Sequence, residues 1–435
     1  MAQFRKDTNQ YLQDNKTLFE VIMLADQYGN PTGSGNASGP AADAFGRMRV
    51  SEPLTLFDSS HRYRDNGLWA ESTSGTANSS FNVNAGLIEI DVGNTSGDEV
   101  IRETFKVFSY QPGKSLLVLN TFVMGAPKTG LRQRVGYFGA DNGMYIEQDD
   151  TTISFVERSF VTGSLTETKV AQADWNIDPM DGTGFSGLTL DLTKAQILWM
   201  DIEWLGLGTV RMGFVIDGKF VHCHSFHHAN LVTATYITTA SLPLRYEITN
   251  TDNTDSSSQL KQICSSVITE GGYELRGQQQ AIGTPITAPR ALADAGTYYP
   301  VVSLRLKASP DRLDAIAIIT AASIMGIGNG VNYSWRVVDG GTATAVSWVS
   351  AGINSAVEYA IGATTHTDYN ILASGFINSS NQGSPTIDIL KEALFKFQME
   401  RNGLTNTPAP ISILVSAGTD SELVFGSMDW EEVSR

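Results

Sequence analysis

The sequence contains only two cysteines, Cys223 and Cys264, among its 435 residues. A disulfide framework needs several cysteines at regular spacing, so this chain is not a small disulfide-stapled secreted domain. Both cysteines lie in strand-like apolar surroundings, which favours two buried thiols in a protein made in a reducing cytoplasm. A disulfide between them is the alternative, because spacing alone does not decide the pairing.

Positive charge is also scarce, since 30 Lys and Arg face 46 Asp and Glu and the net charge is −16. Nucleic-acid binding needs a cluster of cations, and the sequence has none, so nucleic acid is excluded as a partner. Anionic membrane surfaces are disfavoured for the same reason. No run of about 18 apolar residues occurs, so we expect no membrane insertion. The polar N-terminus does not resemble a signal peptide.

Familiar catalytic motifs are missing as well. The sequence has no G-x-S-x-G, P-loop, Rossmann fingerprint or H-E-x-x-H, and no nucleophile has a plausible base beside it. We therefore predict a protein that is not an enzyme, with no catalytic residues. Asp201 and Glu203, on one face of a predicted strand, could serve glycoside hydrolysis, although solvated or interface acids are commoner.

Two-residue alternation of apolar side chains is the clearest pattern that is present, and it is densest in residues 195–250. Residues 198–204 alternate in this way, and residues 210–216 repeat the pattern, which predicts two strands with one apolar face each. Asp217-Gly218 follows directly, and this dipeptide is preferred in two-residue type I′ hairpin turns. A broad antiparallel sheet is the expected result.

The predicted turn fixes the register of the hairpin. It places Met212 opposite Cys223 on the apolar face, which should look inward. On the other face it places Arg211 opposite His224, with His222 on the same side. His222 and His224 are therefore predicted to share a polar face, while Cys223 lies in the core.

Two sets of side chains are weak candidates for metal ligands. His222 and His224 have the spacing of ligands on one strand face, and His227 or His228 could be a third. No carboxylate is adjacent in sequence, so we favour a polar interface role and predict no cofactor. Residues 178–184 (DPMDGTG) place acids near glycines as calcium loops do, but they lack the full ligand alternation, so a glycine-rich turn is favoured.

Strand-like segments separated by turn signals recur every 8–12 residues or so, which is typical of a sandwich or jelly roll. We therefore predict an all-β fold with two β-sandwich, jelly-roll-like domains preceded by an extended N-terminal arm. The arm and a Gly/Pro/Ser linker occupy residues 1–43, and the larger sandwich residues 44–275. A second linker covers residues 276–298, and the smaller C-terminal sandwich residues 299–435. Residues 387–398 have helix-like spacing but could equally form a strand.

Residues 44–71 mix aromatic side chains and arginines without a regular period. We interpret them as an ordered, irregular segment that packs on a sheet or on a partner chain. The interface candidates are Phe45, Arg47, Arg49, Phe57, Arg62 and Tyr63.

Six stretches spread from Ala44 to the C-terminus carry a family resemblance. They are AFGRMRVSEPLTLFD (44–58), RVGYFGADNGMYIEQDD (134–150), WMDIEWLGLGTVRMGFVIDGKFVHCHSFHHAN (199–230), SLPLRYEITNT (241–251), QICSSVITEGG (262–272) and ELVFGSMDWEEV (422–433). Together they resemble a family of tailed-bacteriophage virion structural proteins that is common in phages of aquatic bacteria. The family supplies no catalytic residues.

The resemblance implies a non-enzymatic component of the virion, placed on the tail, fibre or collar or decorating the head. Assembly would take place in the host cytoplasm. The N-terminal segment would anchor on other virion proteins, namely capsid, portal, collar or tail proteins, and the sandwiches would self-associate as a trimer or a higher ring.

A host-surface glycan is the alternative partner, which would make the chain a receptor-binding module. Exposed aromatic side chains such as Trp69, Tyr145 or Trp348 could stack on sugars, although each could equally belong to the core. A glycan depolymerase is the third hypothesis.

Overall fold

A computed structural model describes the strand backbone of residues 10–13 and 17–20, and it describes residues 53–271, 277–309, 311–380 and 398–434 more fully. Within these ranges the regular structure is almost entirely strand, with one short 3-10 turn at Gln172–Asp174. In the described part of the chain, no helix is long and apolar enough to cross a bilayer.

The predicted N-terminal arm is described only in part. Strands β1 (Gln10–Gln13) and β2 (Thr17–Glu20) pair with each other in antiparallel fashion. The rest of the arm and its linker lie outside the described residues, as do three of the interface candidates. These three are Phe45, Arg47 and Arg49.

The larger sandwich consists of fifteen strands. They are β3 (Leu54–Ser60), β4 (Trp69–Ser74), β5 (Asn78–Asn82), β6 (Leu87–Val92), β7 (Glu99–Thr104), β8 (Leu116–Val123), β9 (Leu131–Phe138), β10 (Gly143–Asp149), β11 (Thr152–Ser159), β12 (Thr166–Ala171), β13 (Gln196–Ile202), β14 (Val210–Ile216), β15 (Lys219–Phe226), β16 (Leu244–Asn250) and β17 (Ser258–Thr269). One sheet has the order β12-β11-β10-β9-β16-β7-β4. The other has the order β15-β14-β13-β8-β17-β6-β5, and β3 also pairs with β17.

Alternating apolar residues from the two sheets meet in one core. Tyr137, Phe155, Leu198 and Tyr246 have no exposed surface, and Trp69 is almost completely buried beside them. Each such side chain contributes about 1.5–3 kcal/mol through its removal from water. This packing explains why apolar and polar side chains alternate with a period of two along the strands of both sheets.

The predicted hairpin of β14 and β15 is confirmed at its turn. Asp217 and Gly218 both have positive φ, 51° and 74°, as the type I′ turn requires. The predicted register holds from Ile216 to Gly213, which pairs with His222.

Beyond Gly213 the predicted register of this hairpin is wrong. A β-bulge inserts Cys223, so that Met212 lies opposite His224 and not opposite Cys223. Arg211 then lies opposite Ser225. An extra residue at a bulge turns the following side chain towards the other face of the sheet.

The smaller sandwich begins earlier than predicted. Its strands are β18 (Gln278–Gly283), β19 (Arg290–Leu292), β20 (Tyr299–Leu306), β21 (Ile316–Ile327), β22 (Asn332–Asp339), β23 (Thr342–Thr344), β24 (Val349–Ser350), β25 (Val357–Ile361), β26 (Thr365–Thr367), β27 (Asn370–Asn378), β28 (Ile411–Ala417) and β29 (Glu422–Ser434). The predicted linker 276–298 thus contains two strands, because β18 and β19 both pair with the long strand β29. Gly277, Gly283 and Pro289 lie at or directly beside the ends of these two strands.

Two sheets and one ribbon build this smaller sandwich. Strands β18, β29 and β19 form one sheet, in which β21 also pairs with β29. The other sheet has the order β24-β25-β20-β28-β22-β27, and β23 pairs with β26 separately. The all-β prediction with two sandwiches is therefore confirmed for the described residues. The predicted helix-or-strand segment 387–398 lies outside them except for Gln398, which forms a bridge with Ile318.

Candidate functional site

The bulge in β15 separates the two histidines that were predicted to share a face. His222 packs against the indole of Trp199, with ring centroids 5.6 Å apart. His224 instead packs in the interior, 4.6 Å from Phe226 and 6.4 Å from Phe155 of the facing sheet. The shared polar face is therefore a wrong prediction, and its cause is the single inserted residue.

Both imidazoles are held in the neutral form by their surroundings. Burial lowers the pKa of His222 and of His224 to about 4. The Nδ1 atom of His224 accepts a hydrogen bond from the backbone N–H of Asn176 at 3.2 Å. Across the described ranges, no group of three or more His, Cys, Asp or Glu side chains could hold a metal ion.

The acidic turn at residues 178–184 uses its carboxylates for backbone hydrogen bonds. Asp178 accepts from the N–H groups of Met180 at 2.9 Å and Ser186 at 2.8 Å. Asp181 accepts from Thr183 at 2.8 Å. These contacts stabilise the glycine-rich turn, since short acidic side chains readily satisfy N–H groups two residues further on.

The carboxylate pair considered for hydrolysis occupies two different surroundings. Asp201 accepts a 3.0 Å hydrogen bond from Nε of Arg211 within a buried ion pair. Glu203 follows the end of β13 and lies close to Tyr110. The pKa of the Tyr110 phenol is raised mainly by the burial of Tyr110 and secondly by the negative charge of Glu203. The two side chains therefore do not flank a common open surface.

Two of the three aromatic side chains considered for sugar stacking are inaccessible. Trp69 is 5% exposed and donates its indole N–H to Ser59, and Tyr145 is fully buried with its hydroxyl donating to Glu167. Trp348 is half-buried, and the guanidinium of Arg305 lies over its ring, 4.1 Å from the ring centroid.

The described interface candidates divide into one core residue and two surface residues. Phe57 is 8% exposed and its ring packs against Trp69 and Phe108, so its side chain cannot meet a partner. Arg62 and Tyr63 lie on the loop between β3 and β4, and Tyr63 is 86% exposed. Among the described candidates, Arg62 and Tyr63 on this loop are the ones whose predicted partner contact stays open.

A cleft of about 910 Å³ lies where the two sandwiches meet, a volume typical of ligand sites. One wall comes from the larger sandwich and the other from the smaller one. The residues used below are Tyr110, Trp204, Lys307, Asp311, Asp314 and Asn354.

The turn after β13 holds Trp204 at the wall of the cleft. Leu205 and Gly206 both have positive φ, 39° and 79°, which reverses the chain at once. Gly208 donates its N–H to the Trp204 carbonyl at 2.6 Å. A Cβ atom on Gly208 would lie 1.6 Å from the carbonyl oxygen of Glu203, so only glycine fits this turn.

Tyr110 completes the aromatic wall. Its ring lies 6.0 Å from that of Trp204 at an interplanar angle of 88°, the edge-to-face geometry that aromatic pairs prefer. Its backbone N–H donates to the hydroxyl of Ser241, another residue of the cleft, at 3.3 Å. Tyr110 is thus fixed while the half-buried Trp204 offers part of its indole to the cleft.

The opposite wall is polar. Lys307 is buried, and its Nζ donates to the carbonyl oxygens of Gly352 at 3.0 Å and Ser355 at 2.6 Å. Asp314 accepts from Arg401 at 3.0 Å. Ile353 stands at the lip of the cleft and is 98% exposed. In the cleft, the aromatic pair on one wall therefore lies opposite ammonium, carboxylate and amide groups on the other wall.

Comparison with known proteins yields fold similarity only. No protein-family model and no curated protein matches the sequence. The GH16 protein of the Bacteroides ovatus mixed linkage glucan locus, solved with a G4G4G3G product, is 9% identical with a TM-score of 0.33 and covers 49% of this chain and 99% of its own.

Two further solved structures show a similarity of the same kind. The VIP36 exoplasmic/lumenal domain, bound to Ca²⁺ and Man3GlcNAc, is 13% identical with a TM-score of 0.31 and covers 49% of this chain and 89% of its own. The CBM2 module of the evolved Dit of Lactobacillus casei BL23 phage J-1 is 7% identical with a TM-score of 0.33 and covers 52% of this chain and 99% of its own. At these identities the similarity concerns the β-sandwich fold and assigns no function.

Sequence reasoning did not find this cleft, because its residues come from separate segments of both sandwiches. Trp204 was interpreted as the last member of an apolar strand face, whereas the strand ends at Ile202. The one local signal was the Leu-Gly-Leu-Gly run directly after Trp204, since two glycines so close together indicate a sharp turn.

Proposed function

We propose that this chain binds carbohydrate in the cleft between its two sandwiches and does so without chemical turnover. One observation carries the proposal, namely that Trp204 and Tyr110 form an aromatic wall opposite a wall of polar side chains. A host-surface glycan is the ligand class that this arrangement fits best.

The chemistry of sugars explains the fit. A pyranose has one face rich in C–H bonds, which packs on an aromatic ring, and a rim of hydroxyl groups that both donate and accept hydrogen bonds. Trp204 would take the C–H face. Asp311 and Asn354 on the opposite wall would bind the hydroxyl groups.

The test is a glycan array followed by titration calorimetry with the best hit. Trp204→Ala should weaken binding about 5- to 13-fold, because a lost aromatic contact of about 1–1.5 kcal/mol corresponds to that range. Trp348→Ala is the matched control, since Trp348 is also half-buried but lies outside the cleft, and its affinity should equal that of the native chain. An array without hits, or equal losses in both variants, would contradict the proposal.

A structural role in a virion is the second candidate function. The sequence resemblance favours it, and so does the edge strand β27, which has no charged residue and exposes Ile371 at 51% and Phe376 at 84%. Apolar, uncharged sheet edges are sites where further chains add. A virion component would meet capsid, portal or tail proteins, form homo-oligomers and carry the glycan site outward.

Electron microscopy of phage particles made without this protein tests the second candidate. We expect missing density at one position and reduced infectivity. Particles with complete density and normal infectivity would exclude the structural role and leave the glycan proposal untouched.

A further inference from the structure

Residues 398–408 of the smaller sandwich lie against the larger one and join the two. Gln398 donates from its side chain to the hydroxyl of Ser109 at 2.7 Å, and both residues are buried. Glu400 forms a 2.7 Å ion pair with Lys106. Gly403 packs so closely that a Cβ there would lie 2.5 Å from Oε1 of Glu103. We call residues 398–408, together with the residues of the larger sandwich that they contact, the junction.

Glu103, at the end of β7, is a buried carboxyl on the larger-sandwich side of the junction. Its Oε2 atom accepts from Arg245 at 3.2 Å, whereas Oε1 has no hydrogen-bond partner among the described residues. Burial raises the pKa of Glu103 to about 7, against the opposing charge of Arg245. The Glu103 carboxyl is therefore mostly protonated, and so uncharged, when the pH is below about 7.

Asp339, at the end of β22, is the corresponding carboxyl on the smaller-sandwich side. Its Oδ1 atom is buried and has no hydrogen-bond partner in the described ranges. Burial, followed by the negative charge of Glu400, raises the pKa of Asp339 to about 7. Lys106 of the larger sandwich acts in the opposite direction.

The charged groups that face these two carboxyls come from every element packed at the junction. They are Arg245 and Glu247 of β16, Arg401 and Glu400 of the 398–408 segment, and Lys106 of the loop after β7. Cations are thus already committed, since Lys106 pairs with Glu400 and Arg245 also pairs with Glu247 at 2.7 Å. Among the residues that the structure describes, a new negative charge at either carboxyl has no additional cation to meet.

The 398–408 segment also contacts two residues that line the cleft. Arg401 donates to Asp314 at 3.0 Å and to the carbonyl oxygen of Ser241 at 3.4 Å. Ser241 belongs to the aromatic wall and Asp314 to the polar wall. Any displacement of the 398–408 segment therefore changes the spacing of the two walls.

We propose that the junction is a proton-controlled device in which neutral Glu103 and Asp339 hold the two sandwiches in the arrangement described here, and in which their ionisation loosens that arrangement. The geometry of the junction carries this inference. Its consequence for ligand affinity rests on the proposed function, because it assumes that the cleft is the binding site.

The direction of the effect follows from proton linkage. When the junction separates, water reaches both carboxyls and their pKa values return towards the ordinary 4 or so, so the separated form binds fewer protons above that pH. The joined form is therefore favoured at about pH 5 and loses this advantage as the pH rises through about 7. A weakly alkaline medium should loosen the cleft.

Distance measurement between two spin labels tests the device in the full chain. Pro112→Cys and Ile353→Cys place labels on exposed positions of the two walls. Cys264→Ser removes the half-buried thiol, and Cys223 stays because it is buried. Double electron–electron resonance should give a narrow distance distribution at about pH 5 and a longer, broader distribution at about pH 8.

Glu103→Gln combined with Asp339→Asn supplies the decisive variant, because amides mimic the neutral acids. This double variant should keep the narrow distribution at both pH values, whereas the control Asp255→Asn, an acid whose side chain is 89% exposed and lies outside the cleft, should respond like the native chain. Identical native distributions at both pH values, or an equal response in the double variant, would overturn the inference.

A parallel titration with the array-selected glycan separates the two proposals. If the label distance changes with pH but no glycan binds, the cleft function fails and the device stands. If a glycan binds with the same affinity at both pH values and the distance is constant, the device fails and the cleft function stands.

Discussion

Gln398 and Ser109 are 289 positions apart in sequence, and the amide of the first donates a 2.7 Å hydrogen bond to the hydroxyl of the second. Gln398 is 4% and Ser109 is 6% exposed, so water does not reach the bond. A buried amide that is correctly paired keeps two surfaces in a single arrangement, because any shift leaves polar atoms unpaired. The two sandwiches are therefore joined specifically and not merely tethered.

Gln398→Leu should weaken the coupling between the sandwiches. We expect a loss of about 1–3 kcal/mol in the free energy of unfolding, since the change removes a buried polar contact. Calorimetry should show a broader or more clearly split unfolding transition than that of the native chain. Gln279→Leu is the control, because Gln279 is exposed and its side chain donates to the exposed contact with Thr320, and that variant should unfold like the native chain.

Arg134 crosses three strands on the outer face of the seven-stranded sheet. It donates to Glu147 at 2.7 Å and to Glu247 at 3.2 Å, and all three side chains are buried. Arg134→Met would leave two buried carboxylates with one cation fewer, so the free energy of unfolding should fall by about 3–5 kcal/mol.

The control for Arg134→Met is Lys169→Met on the same face. The Lys169 side chain is 38% exposed and its ion pair with Glu147 is screened by water, so the cost should stay below about 1 kcal/mol. Urea unfolding of both variants measures the difference. Equal losses in the two variants would show that burial does not set the value of these ion pairs.

Gly213 lies at the bulge of the β14–β15 hairpin because no larger residue fits there. A Cβ atom would lie 1.9 Å from the carbonyl oxygen of Val221 and 3.0 Å from Nε1 of Trp199. Gly213→Ala should therefore destabilise the chain by about 1–3 kcal/mol, as overpacking of a core usually does. Gly352→Ala is the matched control, since its Cβ would meet nothing closer than 3.9 Å. Urea unfolding curves would show no difference between the two if the bulge adapts freely.

Much of the fold could be predicted from the sequence because strand alternation and turn chemistry are local. The strand predicted for residues 210–216 was found with the same bounds as β14, and Asp217-Gly218 was predicted and found as a type I′ turn. The bulge at Cys223 could not be predicted in this way. It depends on how the hairpin packs against Phe155 of the other sheet, which is information that a single strand does not contain.

The candidate site could not be predicted for a related reason. Trp204 and Lys307 are 103 positions apart by their numbers, and only the contact between sandwiches brings them to one cleft. Trp69 and Tyr145 were considered for sugar binding because aromatic type alone does not reveal burial, and both proved to be inside. Long-range packing, and not residue type, decides which aromatic side chain meets a ligand.

His222 and His224 should titrate far below the ordinary range of histidine. Burial lowers the pKa of each to about 4 in the folded chain, whereas the unfolded chain should show the ordinary value near 6.5. Between these values the unfolded state binds more protons, so the stability that the neutral imidazoles provide is complete above about pH 6.5 and is lost as the pH falls towards 4.

The loss should amount to at most about 1.4 kcal/mol per pH unit for each histidine. Glu103 and Asp339 act in the opposite direction, because their raised pKa values favour the folded chain at acid pH. The measurement therefore uses the Glu103→Gln, Asp339→Asn background, with imidazole proton shifts followed by NMR and unfolding by urea at each pH. Midpoints near 4 together with a falling free energy of unfolding are expected. Midpoints near 6.5 in the folded chain would show that the bulge leaves both rings open to water.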